Sequence, residues 1–204
     1  HAKLKECDAK IEEHLREKSG VDTFVEPQKK EKSNKNNLNF NGKEMLYELT
    51  GTDLAEIFGI TETNAIEIIS EVGLDMSKWP TVKHFTSWLN LAPNNKISGG
   101  KVLSSRIPKK KNHAGQIFRM AAFAIQRSKD WLAMFYNRIK AKNGAPKEIV
   151  ATARKIAAIF YKMIKERVKF NPIPIEKYMD GFKENQIKKL KRQAKNLGLQ
   201  IVEM

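Results

Sequence analysis

The chain has 204 residues, 41% of them hydrophobic and 30% charged, which suffices for one ordinary domain with an appendage. Its single cysteine, Cys7, excludes a disulfide framework and a cysteine-based zinc site, and its four histidines lack the paired spacing of metal ligands. The sequence has no run of eighteen apolar residues and no signal-peptide pattern at its charged start, so we expect no membrane partner.

The formal charge of +15 lies entirely in the second half of the chain. Residues 1–100 hold 13 Lys and Arg against 16 Asp and Glu, whereas residues 101–204 hold 25 against 7. An excess of positive charge confined to one half favours a polyanionic partner, most simply nucleic acid. A solvated, lysine-rich surface is the alternative that the charge alone leaves open.

Residues 1–20 predict the end of a coiled-coil helix. Leu4, Cys7, Ile11 and His14 follow a 3-4-3 spacing among charged residues, as the seam of two heptads does. Two heptads are marginal alone, so we expect them to end a longer helix in which Cys7 and His14 fill the seam. Because residue 1 is not an initiator methionine, we also expect the sequence to be a fragment.

Composition divides the rest of the chain into three parts. Lysine- and asparagine-rich sequence indicates a linker, helical periodicity indicates a domain, and a run of lysines indicates a basic tail. The predicted bounds are 21–43 for the basic flexible linker, 44–170 for the helical domain and 171–204 for the basic C-terminal helix and tail. Helical periodicity over most of this sequence predicts a mainly α fold.

The helical domain opens with a helix-hairpin-helix pattern. Two short helices, Glu44–Ile57 and Thr63–Val72, flank an apolar turn at Gly59. In such a motif the turn and the following helix offer backbone N–H groups to a DNA phosphate. Glu62 stands where the motif usually has a second glycine, and its carboxylate would repel phosphate. A purely structural helical hairpin therefore stays open as an alternative.

Helical patterns continue beyond this motif. A short helix after Trp79-Pro80 is predicted to bury Trp88, and a helical stretch from Asn112 to Asn143 is predicted to bury Met120. Pro146 suits the first turn of the next helix. That helix is predicted to run to about Lys169 with Val168 in its apolar stripe, the last helix spans Glu176–Asn196, and residues 197–202 have the composition of a short strand.

The segment Pro93–Pro108, predicted as a loop or hairpin, interrupts the helices and contains the best candidate for chemistry. Ser98 precedes Gly99 and Gly100, which let another backbone approach closely. A serine that attacks a phosphodiester needs an approachable loop and cations that neutralise the charge of the transition state. On the pattern alone, a serine that only touches a phosphate or caps the turn stays open. The predicted nucleic-acid contacts are Lys101, Arg106, Lys109, Lys110, Lys111 and Arg119, with Lys147 and Arg154 extending the same face.

Short motifs in a fixed order along residues 45–204 point to a family. They are Phe58-Gly59-Ile60, Glu71-Val72-Gly73, Trp79-Pro80-Thr81, Leu91-Ala92-Pro93, Ser98-Gly99-Gly100-Lys101, Arg106-Ile107-Pro108-Lys109, Arg119-Met120-Ala121-Ala122, Phe135-Tyr136, Gly144-Ala145-Pro146-Lys147, Ala151-Thr152-Ala153-Arg154-Lys155 and the tail from Lys189-Leu190-Lys191 to Leu197-Gly198. In this order and spacing they resemble the C-terminal domain of the insertion-sequence 110/116/902 transposases, relatives of the Piv invertase.

The resemblance implies a DNA recombinase whose nucleophile is the serine of the Ser-Gly-Gly loop, here Ser98, joined covalently to DNA during the reaction. It also implies a RuvC-like domain with four magnesium-binding carboxylates, which we expect outside these 204 residues, so no cofactor is expected in this part. Further implications are homo-oligomers formed through the coiled coil, a guide (bridge) RNA in several members, and a bacterial or archaeal, cytoplasmic location at the nucleoid. Lys111 departs from the family pattern, because a glycine is common before Asn112.

The sequence thus predicts the C-terminal catalytic and DNA-binding domain of a transposase, which by itself binds nucleic acid without recombining it. Two other classes stay open. One is a non-catalytic nucleic-acid-binding module in which Ser98 only touches a phosphate. The other is a scaffold in which the coiled-coil start drives dimerisation and the charge is incidental.

Overall fold

The computed structural model describes residues 2–19, 38, 40–107, 112–143 and 147–199. These ranges contain eight α-helices and one two-stranded antiparallel sheet, which confirms the predicted mainly α fold. The helices are α1 (Ala2–Ser19), α2 (Gly42–Thr50), α3 (Glu62–Val72), α4 (Val82–Trp88), α5 (His113–Ala124), α6 (Trp131–Asn143), α7 (Lys147–Glu166) and α8 (Ile175–Asn196). The strands are β1 (Lys96–Ser98) and β2 (Lys101–Ser104), and single 3-10 turns span Leu54–Glu56, Met76–Lys78 and Ile125–Arg127.

Some of the predicted features lie outside the described residues. They are most of the linker 21–43, the three cations Lys109, Lys110 and Lys111, the segment Gly144–Pro146 and the end of the chain from Gln200. Within the described ranges, no helix combines the length and apolar character needed to cross a bilayer.

The first helix, α1, exposes the seam that its heptad spacing predicts. Leu4 and Ile11 are exposed, Cys7 is a free, exposed thiol, and the helix buries none of its side chains. Cys7 and His14 therefore fill no core within one copy of the chain. A coiled coil needs a second helix to cover its seam, so the coiled-coil role of α1 stays a prediction.

The next helical segment is shorter than predicted. α2 ends at Thr50, because Gly51 adopts the left-handed conformation (φ 72°) and its N–H bonds back to the Tyr47 carbonyl. A 3-10 turn with Asp53 as its N-cap replaces the remainder of the predicted helix. α3 begins one residue earlier than expected, where the Thr61 hydroxyl accepts a hydrogen bond from the Asn64 N–H at 3.2 Å.

The turn between these helices packs against α5. A Cβ at Gly59 would come within 2.6 Å of the Ala121 carbonyl oxygen, and φ there is +81°. The Glu62 carboxylate at the start of α3 accepts a hydrogen bond from the Lys43 N–H of α2 at 2.7 Å. The glycine thus serves helix packing and the acid joins two helices, while the DNA contact of a helix-hairpin-helix motif stays a prediction.

Aromatic rings from three helices form the centre of the core. Phe85 of α4, Phe118 of α5 and Phe160 of α7 are fully buried, with ring centroids 5.4 to 6.5 Å apart. Beside them, the Tyr161 hydroxyl donates to the Trp79 carbonyl at 2.7 Å, so its polar end is satisfied inside the core. α7 therefore forms the scaffold against which α4 and α5 are arranged.

The crossing of α5 with the segment after α4 is unusually close. A Cβ on Gly115 would lie 2.1 Å from the Leu89 carbonyl oxygen, so only glycine fits. Asn112 fastens the same crossing: its side-chain oxygen accepts from the Gly115 N–H at 2.7 Å, and its amide donates to the Trp88 carbonyl at 3.3 Å. The chain entering the Ser-Gly-Gly loop is thereby held on the first turn of α5.

Three residues predicted as buried are exposed, namely Trp88, Met120 and Val168. Trp88 lies in the last turn of α4, where its ring contacts Trp79 with centroids 5.0 Å apart. Met120 is exposed because it lies outside the buried face of α5, which carries Phe118 and Ala121. Val168 follows the end of α7, which stops before the predicted Lys169, where Arg167 adopts a left-handed conformation (φ 50°).

The last helix, α8, matches its predicted span closely and is anchored at its start. Tyr178 packs against Trp131 of α6 with ring centroids 5.7 Å apart. α8 has no buried residues. Residues 197–199 form a turn in which the Leu199 N–H bonds to the Ala194 carbonyl at 2.9 Å, so the described part of the predicted terminal strand is not a strand.

A pair of glycine-to-alanine variants tests the close crossing. Gly115→Ala is expected to lower the free energy of unfolding by about 1–3 kcal/mol. The new methyl group would clash with the Leu89 carbonyl oxygen, which can move only if the packed core around it moves as well. Gly181→Ala on α8 is the matched control, because a Cβ at this position would have no heavy atom of the described residues within 4 Å. The better helix propensity of alanine is expected to raise the free energy of unfolding by up to about 1 kcal/mol. Denaturant unfolding followed by circular dichroism measures the stability of both variants. Equal changes in stability would contradict a close backbone crossing at Gly115.

Candidate active site and nucleic-acid interface

The loop that contains Ser98 is a β-hairpin. β1 and β2 pair in antiparallel fashion with Ser98 opposite Lys101, so Gly99 and Gly100 form a two-residue turn. Both glycines have positive φ, +54° and +75°, as a type I′ turn requires. The two glycines that the sequence singled out for close backbone approach therefore also close the hairpin. A Cβ on either of them would have no heavy atom of the described residues within 4 Å.

The hairpin presents two different faces to solvent. Ile97 and Val102 are cross-strand partners that are 63% and 57% exposed, and they form an apolar face. Because side chains alternate along a strand, Ser98 and Lys101 point to the opposite face. A register shift between Lys96 and Ile97 marks a bulge in the ladder. Ser98 is thus exposed with Lys101 as its cross-strand partner, and no hydrogen bond joins its hydroxyl to another described residue.

The base of the hairpin is fixed to the helical domain. The Asn94 N–H donates to the Arg106 carbonyl at 3.0 Å, which closes the two strands. Just before this point, the Arg119 guanidinium of α5 donates to the Asn90 carbonyl at 2.8 Å. Burial lowers the pKa of Arg119. The predicted phosphate contact at Arg119 is therefore a cation that already holds the backbone leading into the hairpin.

The other predicted cations fall into two groups. Lys101 and Arg106 are exposed on the hairpin, at its tip and at its base. Lys147 and Arg154 lie on α7, where they line one groove together with Ser105 of the hairpin base. The structure thus brings the hairpin base and the two cations of α7 together.

This groove, which we call the α7 groove, has a volume of about 590 Å³. Its lining combines apolar side chains from the hairpin base, such as Pro93 and Ile107, with the N-terminal half of α7. Beside Lys147 and Arg154 a third cation, Lys155, lines it. Lys155 was not among the predicted binding residues, although its position directly after Arg154 was a signal.

Lys155 belongs to a cluster of cations and aromatic rings that joins α6, α7 and α8. Its ammonium lies 4.8 Å from the Phe135 ring centroid, and the Arg138 guanidinium lies 4.7 Å from that of Phe182. Burial, and then the charge of Arg138, lower the pKa of Lys155. No sequence pattern indicated this cluster, because its members come from three helices.

The described residues contain no group of three or more His, Cys, Asp or Glu that could hold a metal ion. In the basic half, Asp130 caps α6 by accepting from the Ala133 N–H at 2.9 Å, and Glu148 is 1% exposed inside the domain. Burial, together with the charge of Glu148, raises the pKa of the neighbouring Tyr136. The magnesium that the family resemblance implies therefore does not fit the carboxylates described here.

Comparison with protein families gives one match. The model of the family described as Transposase IS116/IS110/IS902 matches residues 51–137. These residues are a transposase domain of that family. No curated protein matches the chain.

The transposase domain covers α3 to the first half of α6 and includes the hairpin with Ser98. Membership gives this part of the chain a role in transposition, with DNA as its partner. Lys147 and Arg154 lie beyond the matched residues, although α7 packs against α5 inside the match. The α7 groove is therefore formed by the matched hairpin base on one side and by sequence outside the match on the other.

Substitutions of Gly100 test whether backbone conformation alone limits the hairpin turn. Gly100→Asn is expected to keep the cross-strand contact between Ile97 and Val102, because asparagine tolerates positive φ. Gly100→Val is expected to cost about 1–2 kcal/mol of hairpin stability, although its side chain meets open space. Cross-strand nuclear Overhauser effects measure the hairpin while the unfolding transition of the domain stays unchanged. Identical spectra for the two variants would refute this account.

Proposed function

We propose that Ser98 is the nucleophile of a DNA transposase that cuts and rejoins strands through a covalent phosphoserine link. The observation that supports it is the exposed hydroxyl at the end of β1, next to a two-glycine turn and opposite Lys101, inside the transposase domain. A phosphate group can reach such a hydroxyl without displacing any side chain of the core. Lys101 then lies where charge develops on the phosphate oxygens.

The proposed reaction has two steps, and each step forms one bond to phosphorus and breaks another. Ser98 Oγ attacks the phosphorus, an Oγ–P bond forms and a P–O bond to the sugar breaks; the serine proton leaves to solvent and the departing oxygen gains a proton. A hydroxyl of another strand then attacks the same phosphorus and releases the serine. The number of phosphodiester bonds is conserved, so the reaction needs no nucleotide cofactor.

An isolated serine hydroxyl is a weak nucleophile at neutral pH. The described residues offer no carboxylate cluster to activate Ser98. We therefore propose that these 204 residues act as the nucleophile-bearing part of a larger catalytic assembly, binding DNA but not recombining it alone. DNA is the principal partner; by resemblance we also propose a guide RNA and a second copy of the chain, whose helix would cover the exposed Leu4 and Ile11 of α1.

A second candidate function is a nucleic-acid-binding module without chemistry. The observation that favours it is the α7 groove, where Lys147, Arg154 and Lys155 lie together, away from the hairpin tip. Such a surface binds phosphates whether or not Ser98 reacts. The two functions therefore differ in one measurable property, which is the covalent adduct.

The Ser98→Ala variant decides between them. The complete protein encoded by the gene is mixed with labelled DNA from the end of the insertion sequence, and the products are separated by denaturing electrophoresis. A covalent protein–DNA adduct is expected. Ser98→Ala is expected to abolish the adduct, because it removes the attacking oxygen, while DNA binding persists. Ser104→Ala, in the same hairpin, is the control and keeps the adduct.

An adduct that survives in Ser98→Ala would refute Ser98 as nucleophile. The absence of any adduct from the wild-type protein, with binding intact, would favour the binding module. The 204-residue chain alone is expected to shift DNA in native gels without nicking a supercoiled plasmid.

The salt dependence of binding tests the cations of the α7 groove. For the 204-residue chain, the logarithm of the association constant should fall linearly with the logarithm of salt concentration, by roughly 0.9 for each phosphate contacted. Arg154→Gln is expected to reduce this slope by roughly one contact. Lys10→Gln removes a charge from α1, where Lys10 pairs with Glu6 at 3.1 Å, and should leave the slope unchanged. Equal slopes for both variants would argue against the groove.

A further inference from the structure

The α7 groove has a lining that a phosphate alone does not match. Its lining is largely apolar and includes Val150, Ala151, Ala158 and Phe135. Its volume of about 590 Å³ is within the range of ligand sites, whereas a phosphate bound to surface lysines needs no cavity. The occupant must therefore bring an apolar or aromatic surface.

The same groove has positive charge that nothing described neutralises. Lys147, Arg154 and Lys155 line it, and none of the three forms an ion pair with a carboxylate in the described part of the chain. The acidic residue next to Lys147 is Glu148, which is buried and does not line the groove. The occupant must therefore also be an anion.

Lys155 makes this requirement stronger. Its ammonium is packed onto the Phe135 ring at 4.8 Å, and both burial and the charge of Arg138 lower its pKa. An anion in the groove would offset both effects, because it restores a favourable partner to a desolvated cation. Lys155 is thus a desolvated cation whose negative partner is not among the described residues.

A flat apolar surface and an adjacent anion occur together in a nucleotide. In a paired duplex the faces of the bases are stacked inside the helix, and only an unpaired base can lie on an apolar surface. We propose that the α7 groove binds one unpaired nucleotide of the DNA strand, with its base on the apolar lining between Ala151 and Ala158 and its phosphate at Lys147 and Arg154. This inference rests on the proposed function only for the identity of the nucleic acid.

The position of the groove adds a geometric consequence. Ser105 lines the groove, and it follows Lys101, the partner of Ser98, by four residue steps along β2 and its extension. At about 3.4 Å per strand residue the groove lies roughly 14 Å from the level of Ser98 on the hairpin. The unpaired nucleotide would therefore lie a short distance along the strand from the phosphate that Ser98 would attack.

The experiment fills the groove without changing its charge. Binding of the 204-residue chain is measured by fluorescence with a single-stranded oligonucleotide that carries one 2-aminopurine, and with the fully paired duplex of the same sequence. Ala158→Leu is expected to weaken single-strand binding roughly tenfold, as the loss of one base contact implies, and to remove the 2-aminopurine signal. Duplex binding through the exposed cations is expected to stay unchanged.

Two further variants keep the test decisive. Ala151→Leu fills the same groove from another position and is expected to repeat the effect, with circular dichroism verifying that each variant is folded. Ala194→Leu on α8 makes the same chemical change outside the groove and is expected to bind both probes as wild type does.

Three results would overturn the proposal. The first is single-strand binding that neither groove-filling variant changes. The second is an equal loss of single-strand and duplex binding, which would indicate backbone contact alone. The third is displacement of the oligonucleotide by polyglutamate at equal charge concentration, which would indicate an acidic peptide site. Ser98→Ala is expected to bind the probe normally, so failure of the serine chemistry and failure of the groove are distinguishable.

Discussion

The close approach of Gly115 to the Leu89 carbonyl is the contact on which the geometry of the site depends. It lets the segment after α4 lie directly on the first turn of α5, where the side chain of Asn112 bonds to both partners. Arg119, one helical turn further along, bonds to the Asn90 carbonyl. The hairpin therefore leaves the domain in a direction set by backbone contacts and not by its own few side chains.

α7 has two functions in this arrangement, and its two faces separate them. One face carries Phe160 and Tyr161 into the aromatic core with α4 and α5. The other carries Arg154 and Lys155 toward the base of the hairpin. Since the same rigid helix bears both, the position of the groove relative to the hairpin is fixed by core packing. The cations of the groove gain a defined geometry that lysines on a loop would lack.

The sequence predicted what depends on local order along the chain. The 3.6-residue period of α7, the span of α8 and the turn at Gly99 and Gly100 are local, and the structure has them close to the predicted places. The tight crossing at Gly115 was not predicted, since a glycine within a helix does not reveal which backbone passes beside it. The exposed Met120 was misplaced for the same reason, because helical spacing defines a stripe but not the neighbour that covers it.

The candidate site shows the same difference between what local sequence predicts and what depends on contacts between helices. Ser98 and the basic residues after it were found from motif and charge, which the sequence displays directly. Lys155 was overlooked because its character comes from Phe135 and Arg138, which lie on another helix. Lys165, a cation of the same helix α7, donates to the Pro80 carbonyl at 3.1 Å and to the Tyr161 hydroxyl at 2.7 Å. Charge on a helix face thus identifies candidates but does not separate binding cations from structural ones.

The distance of the hairpin tip from the domain and the direction of its side chains both change with each residue added to the strands. Beyond the base, Ile97, Val102 and Leu103 are largely exposed, so strand length is not dictated by a core. One extra residue per strand would carry Ser98 and Lys101 together roughly 3.4 Å outward and turn both side chains to the opposite face of the ribbon. Two per strand would advance the pair roughly 7 Å and restore its original facing. For the reaction proposed for Ser98, only an even number of added residues per strand would change the depth of the hydroxyl and keep it on the same side.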